Sequence, residues 1–532
     1  MNQVEVKRKQ IQLCSLGLGL IVLRILGKQI GDNGVTYLMA AVEVFTFVWA
    51  LISMQLADTL GKMLRTRNAK GQYKNADKLK KCICVFQGSL GIIFALLCLG
   101  TSRFLAESVL HVPYSRFLIM LMAPVILFRT LNDVLQGLFQ GEGSELPSAV
   151  SCLLRQFMIL GFGILFGKML AGYGEKVSRL LGPEAFTAMY GAMGVVLGIL
   201  LAEVFCLIFL LLIYKGSSRK RKNRESDGMK TTDSFAGQIY SLYSGMPVLC
   251  GILEILPLLL GFIFYQRSAG DSNAAAENYG VFFGKYIVVT GVVLMLLMAM
   301  VLPVAVKASA LFRKDDHRYS RNVLQTGLKS VLAYALFFTV FVSVMAKQLA
   351  GALSDTYVNL LADMLATGSV IILFGLLAFL CYTILKLSGR KILILICLAV
   401  ANVVFLVLLL LGLKVWKTDV LAIVYAGLGY SAVLAISLCV LVLRQFKSSV
   451  DWIRTLAVPV GSSCISGLLC YLLGKLCTPH LGNLVTLIVA FVVSFAVHWI
   501  VIMFLRCYSE QEMEVTPGKL ILKGLGQMLG AF

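Results

Sequence analysis

The sequence predicts an all-α polytopic membrane protein with about fourteen transmembrane helices, and three observations predict it. Of 532 residues, 59% are hydrophobic and only 14% charged, more apolar surface than a soluble domain of this length can hide. Apolar runs of about 20 residues recur from end to end, the length that a hydrocarbon core roughly 30 Å thick demands. The basic residues gather in alternate loops, the asymmetry that orients membrane helices.

The apolar runs place spans at 11–30, 35–57, 82–105, 117–139, 146–170, 187–214, 238–265, 279–305, 323–347, 357–383, 391–413, 419–443, 454–476 and 483–505. With the N-terminus inside, predicted cytoplasmic segments hold about 32 lysines and arginines and the outer loops about 11. The richest inner loops are 58–81 and 215–235, and both chain ends fall on the cytoplasmic side. One inner loop, GEGSELP at 141–147, carries no cation and fits this topology least well. The formal net charge of +21 follows from the positive-inside rule and anionic headgroups rather than from a nucleic-acid partner. Lys7, Arg8 and Lys9 precede the first apolar run without a small-residue cleavage site after it, so the first helix is expected to stay as the targeting signal.

The organisation read from these spans is an N-lobe over 1–214, a basic linker over 215–235, a C-lobe over 236–443, two extra spans within 444–505 and a cytoplasmic or interfacial tail over 506–532. The halves show internal similarity. The second span ends in ADTLGKMLRTRNAKGQYKNAD and the eighth in PVAVKASALFRKDDHRYSRN. Each runs from small residues through a lysine, an aliphatic pair and a basic cluster into a polar stretch. Such repeats place a transport site between the halves, near mid-membrane.

Charges inside the spans are the candidate site. A cation in hydrocarbon is costly and marks a cavity or a partner. Arg24 in span one and Lys285 in span eight fall at similar depth. Glu43 in span two shares that depth, so Arg24–Glu43 reads equally as a structural ion pair and as part of a polar cavity. Lys285 can also snorkel to the outer surface. Glu254 lies between Pro247 and Pro257 in span seven. Prolines there free backbone carbonyls, which beside a carboxylate can hold a proton or a sodium ion, with Asn402 as a possible co-ligand. Arg129 and Asp133 are four residues apart on span four, and Arg155 in span five sits at a similar depth, which reads as a charge cluster fastening helices. Glu203 and Asp363 have no assigned partner.

Catalytic signatures are not found. The four histidines, His111, His317, His480 and His498, are scattered, and no Walker A sequence occurs. The 14 cysteines lie mostly in apolar runs and read as small buried side chains, Cys82 and Cys84 included, so no metal and no other cofactor is expected.

Several short motifs carry a resemblance. They are Leu26-Gly27 with Gly31-Asp32-Asn33-Gly34 and Tyr37; Gly71-Gln72-Tyr73 to Ala76; Ala123-Pro124; Gly137-Leu138-Phe139-Gln140-Gly141 with Pro147-Ser148-Ala149; Gly245-Met246-Pro247; and Pro303. The chain resembles the multidrug/oligosaccharidyl-lipid/polysaccharide (MOP) exporter superfamily, in its stage V sporulation protein B and polysaccharide flippase branch, to which lipid II flippases are related. It departs where that family carries a proline at the end of span two, here Ser53-Met54-Gln55-Leu56-Ala57, and in the acidic GEGSELP hairpin.

The resemblance implies a MATE/MOP-like fold of two pseudo-symmetric six-helix bundles around a V-shaped cavity lined by spans 1, 2, 7 and 8. The last two spans would form a groove for an isoprenoid tail. It implies a flippase of a bacterial cytoplasmic membrane, whose partners are a lipid-linked sugar and membrane lipids and which works as a monomer. Arg24, Lys285 and Glu43 would form the phosphate site, driven by an ion at Glu254 and Asn402 or by membrane potential. The rival readings are a drug/cation antiporter of the same superfamily, a non-transporting scaffold, and a membrane-embedded glycosyl- or acyltransferase. The last would need acidic or histidine groups in outer loops, which offer mainly Asp32, Glu107, His111 and Glu175.

Overall fold

The computed structural model describes residues 3–183, 185–216, 234, 237, 239–240, 243, 245–269, 273–314, 316–447 and 453–517. Every regular element in them is a helix. Most of the 215–235 linker and the tail beyond residue 517 lie outside the described residues, as do the expectations placed on them. Eleven described helices are long and apolar enough to cross a membrane, or twelve if one bent pair counts as a single span. The chain is therefore a multi-pass membrane protein.

Two of those helices are hairpins. Helix α1 (Gln3–Ile52) has a break at Gly31, with φ 74° and ψ 169°. A Cβ on Gly27 would meet Val35 Cγ2 at 3.1 Å. Residues eight apart in a straight helix are separated by about 12 Å, so the chain reverses at Gly31. Only glycine adopts this conformation without strain. Helix α16 (Val458–Phe504) has the same break at Gly482, with φ 72° and ψ 171°. Gly467 before it and Phe491 after it pack against neighbouring turns of one helix, at Val340 and at Phe337 and Phe338. Each hairpin thus supplies two arms, at the positions of the first two and the last two expected spans.

The chain divides into two compact units, Lys7–Gly284 and Met1–Val6 with Lys285–Phe532. This division falls inside the eighth expected span rather than at 215–235.

The Lys7–Gly284 unit contains most of α1, α2 (Leu56–Ala69), α3 (Tyr73–Phe104), α4 (Arg116–Gly141), α5 (Leu146–Leu181), α6 (Ala185–Gly216), α7 (Gly245–Ala269) and α8 (Asn273–Val281). Span two ends at Ile52, and Ser53, Met54 and Gln55 turn the chain into α2. Glycines decide how closely these helices approach, as small residues do wherever lipid removes any hydrophobic drive between helices. A Cβ on Gly141 would lie 2.5 Å from Leu64 Cβ, and one on Gly137 3.1 Å from the Ala57 carbonyl. The Gly137–Gly141 motif is therefore the surface on which α2 rests. Leu56, Leu60, Leu64, Leu79, Ile83, Leu138 and Phe139 fill the space around it.

The acidic hairpin is neutralised from within the same unit. Glu145 pairs with Arg8 at 2.6 Å and with Arg65 at 2.7 Å, and Glu142 with Lys80 at 3.2 Å. Asp58 takes Arg8 at 3.0 Å and Lys9 at 3.2 Å. The loop without cations thus lies among the basic residues of other segments.

The second unit contains α9 (Ile287–Phe312), α10 (His317–Val344), α11 (Ala346–Leu353), α12 (Val358–Gly368), α13 (Ile371–Leu387), α14 (Lys391–Lys414), α15 (Leu421–Phe446), α16 and α17 (Glu510–Met513). The expected span 357–383 is bent by 42° between α12 and α13. Against α10, His498 meets the Ala333 carbonyl at 3.1 Å and Phe495 meets Phe337 edge to face. Beyond α16, Glu512 pairs with Lys329 at 2.8 Å and the Pro517 carbonyl accepts from Tyr334 at 2.9 Å, which ties this segment to α10.

Helices α5 and α6 meet backbone to backbone, where a Cβ on Gly194 would lie 2.3 Å from the Phe166 carbonyl oxygen and one on Gly198 2.6 Å from the Gly163 nitrogen. Gly194→Ala and Gly198→Ala should each cost about 1–3 kcal/mol, read as a lowered thermal midpoint in detergent. Gly161→Ala, where a Cβ meets nothing within 4 Å, should leave the midpoint unchanged or raise it.

Candidate functional site

The site is built on residues that their helices force into the interior. Arg24 lies half-buried on the first arm of α1, between the fully buried Val22 and Leu26. The carboxylate of Asp32, one residue past the Gly31 reversal, acts on it electrostatically. Glu43 is on the second arm and is 3% exposed. It has no hydrogen bond or ion pair among the described residues, so the expected Arg24–Glu43 pair does not form. Arg24 has the Asp32 carboxylate as its electrostatic neighbour instead.

Lys285 is 6% exposed and sits in a single π-helical turn, Phe282–Tyr286, between α8 and α9. Such turns insert one residue into a helix and re-aim its side chains, and they recur at functional sites. The Lys285 ammonium donates to Ser354 Oγ at 3.2 Å and lies 5.9 Å from the centre of the Tyr357 ring. Ser354 Oγ also accepts from the Tyr357 backbone N–H at 3.2 Å, which fixes the hydroxyl. Lys285 is thus held inside its unit rather than snorkelling freely to the surface.

Glu254 is half-buried on α7, one turn before Pro257, which cannot donate a hydrogen bond to the preceding turn. Asn402 on α14 is buried and donates to its own helix, to the Leu398 carbonyl at 2.8 Å. Among the described residues no group of three or more His, Cys, Asp or Glu side chains is placed to hold a metal ion.

Arg129, Asp133 and Arg155 are brought together, and Glu203 of α6 joins them. Arg155 Nε reaches Glu203 Oε1 at 2.7 Å, Arg129 pairs with Glu203 at 3.4 Å and with Asp133 at 3.3 Å, and Asn132 donates to Glu203 Oε2 at 2.7 Å. Trp49 Nε1 and Ser53 Oγ each donate to Asp133 Oδ2 at 2.7 Å, and the Arg129 guanidinium lies 4.9 Å from the Trp49 ring centre. Two arginines and two carboxylates therefore balance at the junction of α1, α4, α5 and α6. Sequence reasoning named Glu203 without its partners and missed Asn132, Trp49 and Ser53. A lone glutamate in an apolar span was the available signal at Glu203, because such a charge needs a partner.

Removing one member of a buried ion cluster strands the rest. Glu203→Ala should therefore destabilise the protein by about 3–5 kcal/mol, seen as a lowered thermal midpoint in detergent, and far more than Glu107→Ala at an exposed i,i+4 pair with Arg103.

No protein-family model matches the chain. Stage V sporulation protein B of Bacillus subtilis (strain 168) is 23% identical over 198 residues, which is 37% of this chain and 36% of that protein. The chain thus matches about a third of the length of this curated relative. Among solved structures, it is similar to a MATE protein in complex with MaD3S, with a TM-score of 0.59 and 15% identity over 84% of this chain and 99% of that one. It is also similar to a MOP superfamily transporter from Pyrococcus furiosus Vc1 (DSM3638), whose binding pocket of reverse polarity is taken to suggest a different function. Here the TM-score is 0.57, with 15% identity over 84% of this chain and 99% of that one. The chain has the fold of the MATE and MOP superfamily transporters.

Proposed function

We propose that this chain is a flippase that moves a lipid-linked oligosaccharide or polysaccharide precursor, a polyprenyl (pyro)phosphate sugar, across a bacterial cytoplasmic membrane by alternating access. The observation that carries the reading is Lys285, a lysine 6% exposed and positioned by a π-helical turn on a carrier fold. Arg24 is a second cation within the first span. Carrying a phosphate through hydrocarbon without cations is prohibitive, and charge-assisted hydrogen bonds from lysine and arginine are the strong way to hold one. The partial likeness to stage V sporulation protein B supports the flippase branch. Helix α16 presents Leu468, Leu472, Leu476, Leu484, Ile488 and Val492 outward, an apolar face suited to an isoprenoid chain. Membrane potential, or a proton or sodium ion at Glu254, supplies the drive.

A drug/cation antiporter is the second reading, favoured by one observation, the buried carboxylate of Glu43. Reconstitution into vesicles separates the two. Translocation of a labelled polyprenyl-pyrophosphate sugar is expected, and Arg24→Ala with Lys285→Ala should slow it at least about tenfold, the loss of roughly 1.4 kcal/mol of binding or transition-state energy. Unchanged transport in the double variant overturns the phosphate role, and ethidium efflux without lipid translocation establishes the antiporter instead.

A further inference from the structure

The segment that follows the last span folds back onto the second unit. Helix α16 ends at Phe504, and Arg506, with φ 47°, turns the chain. The Cys507 backbone N–H donates to the Ile502 carbonyl at 3.2 Å, which closes that turn. The chain then runs along α10. Met513 and Thr516 are buried there, and the Pro517 carbonyl accepts from Tyr334. What the segment brings to α10 is Glu512. Its Oε1 lies 2.8 Å from the Lys329 ammonium, and its Oε2 accepts from the Ser509 backbone N–H at 2.9 Å. One oxygen thus caps the short helix α17 while the other meets a lysine.

Lys329 is a buried cation outside the proposed cargo site. It follows the start of the expected span at residue 323 by six residues, about 9 Å along the helix, a depth from which a lysine reaches headgroup level. This is the side on which the sequence places both chain ends. The Lys329 side chain is 7% exposed and that of Glu512 17%, so the lysine is the fixed, enclosed partner. The Cys507 carbonyl accepts from the same ammonium at 3.4 Å, and the Cys507 thiol donates to the Arg454 carbonyl at 3.1 Å. Arg454 belongs to a second π-helical turn, Ile453–Ala457, which packs on α10. In that turn Thr455 is buried, and its hydroxyl makes no hydrogen bond among the described residues. A buried hydroxyl is costly to leave without a partner. An ion pair that only fastens the segment gives no reason for such a donor close to the lysine. A phosphate monoester, with about two charges and three free oxygens, can serve both groups.

We propose that Lys329 is the centre of a binding site for the phosphate monoester of a lipid headgroup, and that Ser509–Pro517 form a lid on it, with Glu512 holding the place of the phosphate. Anionic lipid in the adjoining leaflet competes with Glu512 for the ammonium. Carboxylate and phosphate exclude one another there, so each weakens the binding of the other by the same factor. The lid lies outside the spanning helices, and its release parts no pair of spans. Glu512 keeps its cap on Ser509 when it leaves Lys329, so α17 moves as a formed turn. The site does not depend on which cargo the protein carries.

Hydrogen–deuterium exchange of the full-length protein in nanodiscs, followed over residues 509–517, tests it. Phosphatidylcholine discs are compared with discs that also contain phosphatidic acid, and with phosphatidylcholine discs in inorganic phosphate. Phosphatidic acid should speed exchange of the lid at least about fivefold. An equal response to inorganic phosphate keeps the site and overturns its lipid source. Glu512→Gln retains the capping box and removes the charge. In native mass spectrometry it should hold at least about threefold more phosphatidic acid than wild type, because the competitor is gone. Lys329→Met, apolar and of similar length, should lose that retention and exchange fast in every disc. Lid exchange alike in all discs for the wild type overturns the proposal, as does phosphatidic acid retention that fails to rise in Glu512→Gln or survives Lys329→Met.

Discussion

Hydrocarbon offers no water to a charged side chain, and that constraint organises this molecule. Every ionisable group inside the helices has to be balanced, held by neutral polar atoms, or kept neutral. The three solutions occur at different places. At the junction of α1, α4, α5 and α6, Glu203 and Asp133 meet Arg129 and Arg155, and indole, hydroxyl and amide donors take up further oxygen lone pairs. Lys285 is held by Ser354 and the face of Tyr357. Glu43 is enclosed at 3% exposure, with no hydrogen bond or ion pair among the described residues. The balanced cluster fastens helices within one unit, and Lys285 is the residue on which the proposed phosphate site rests.

The same constraint accounts for the loop that fits the positive-inside rule least. An acidic hairpin between spans four and five is tolerable because Arg8, Arg65 and Lys80 converge on Glu142 and Glu145. Cations from the first helix, α2 and α3 thereby share one network with the hairpin, and the glycines of α4 let α2 come close enough to make it. The Gly137–Gly141 motif and the acidic hairpin beside it are parts of one packing solution.

What was legible in the sequence was what periodicity and composition encode. Apolar runs located the helices, and the Gly31 and Gly482 reversals fall between the runs that were read as separate spans. Arg129, Asp133 and Arg155 could be grouped because spacing and depth align them. Glu203 could not be added, since nothing in one sequence says which face of α6 turns toward α4 and α5. Arg24 and Glu43 share a depth, and equal depth invited a pairing. Depth does not determine the direction in which a side chain leaves its helix, and in the hairpin these two do not pair. The π-helical turn at Lys285 and the break between α12 and α13 are local departures from helical periodicity that an apolar run cannot register.

The proposed function requires Lys285 and Arg24 to hold a phosphate on a long lipid. Native mass spectrometry of the purified protein with a polyprenyl pyrophosphate, set against the polyprenol of the same chain length, addresses it without any transport step. Retention is expected to depend on the phosphate and to fall when Arg24 and Lys285 are replaced by glutamine. Equal retention of the alcohol and the pyrophosphate, or retention unaltered by those replacements, would contradict it.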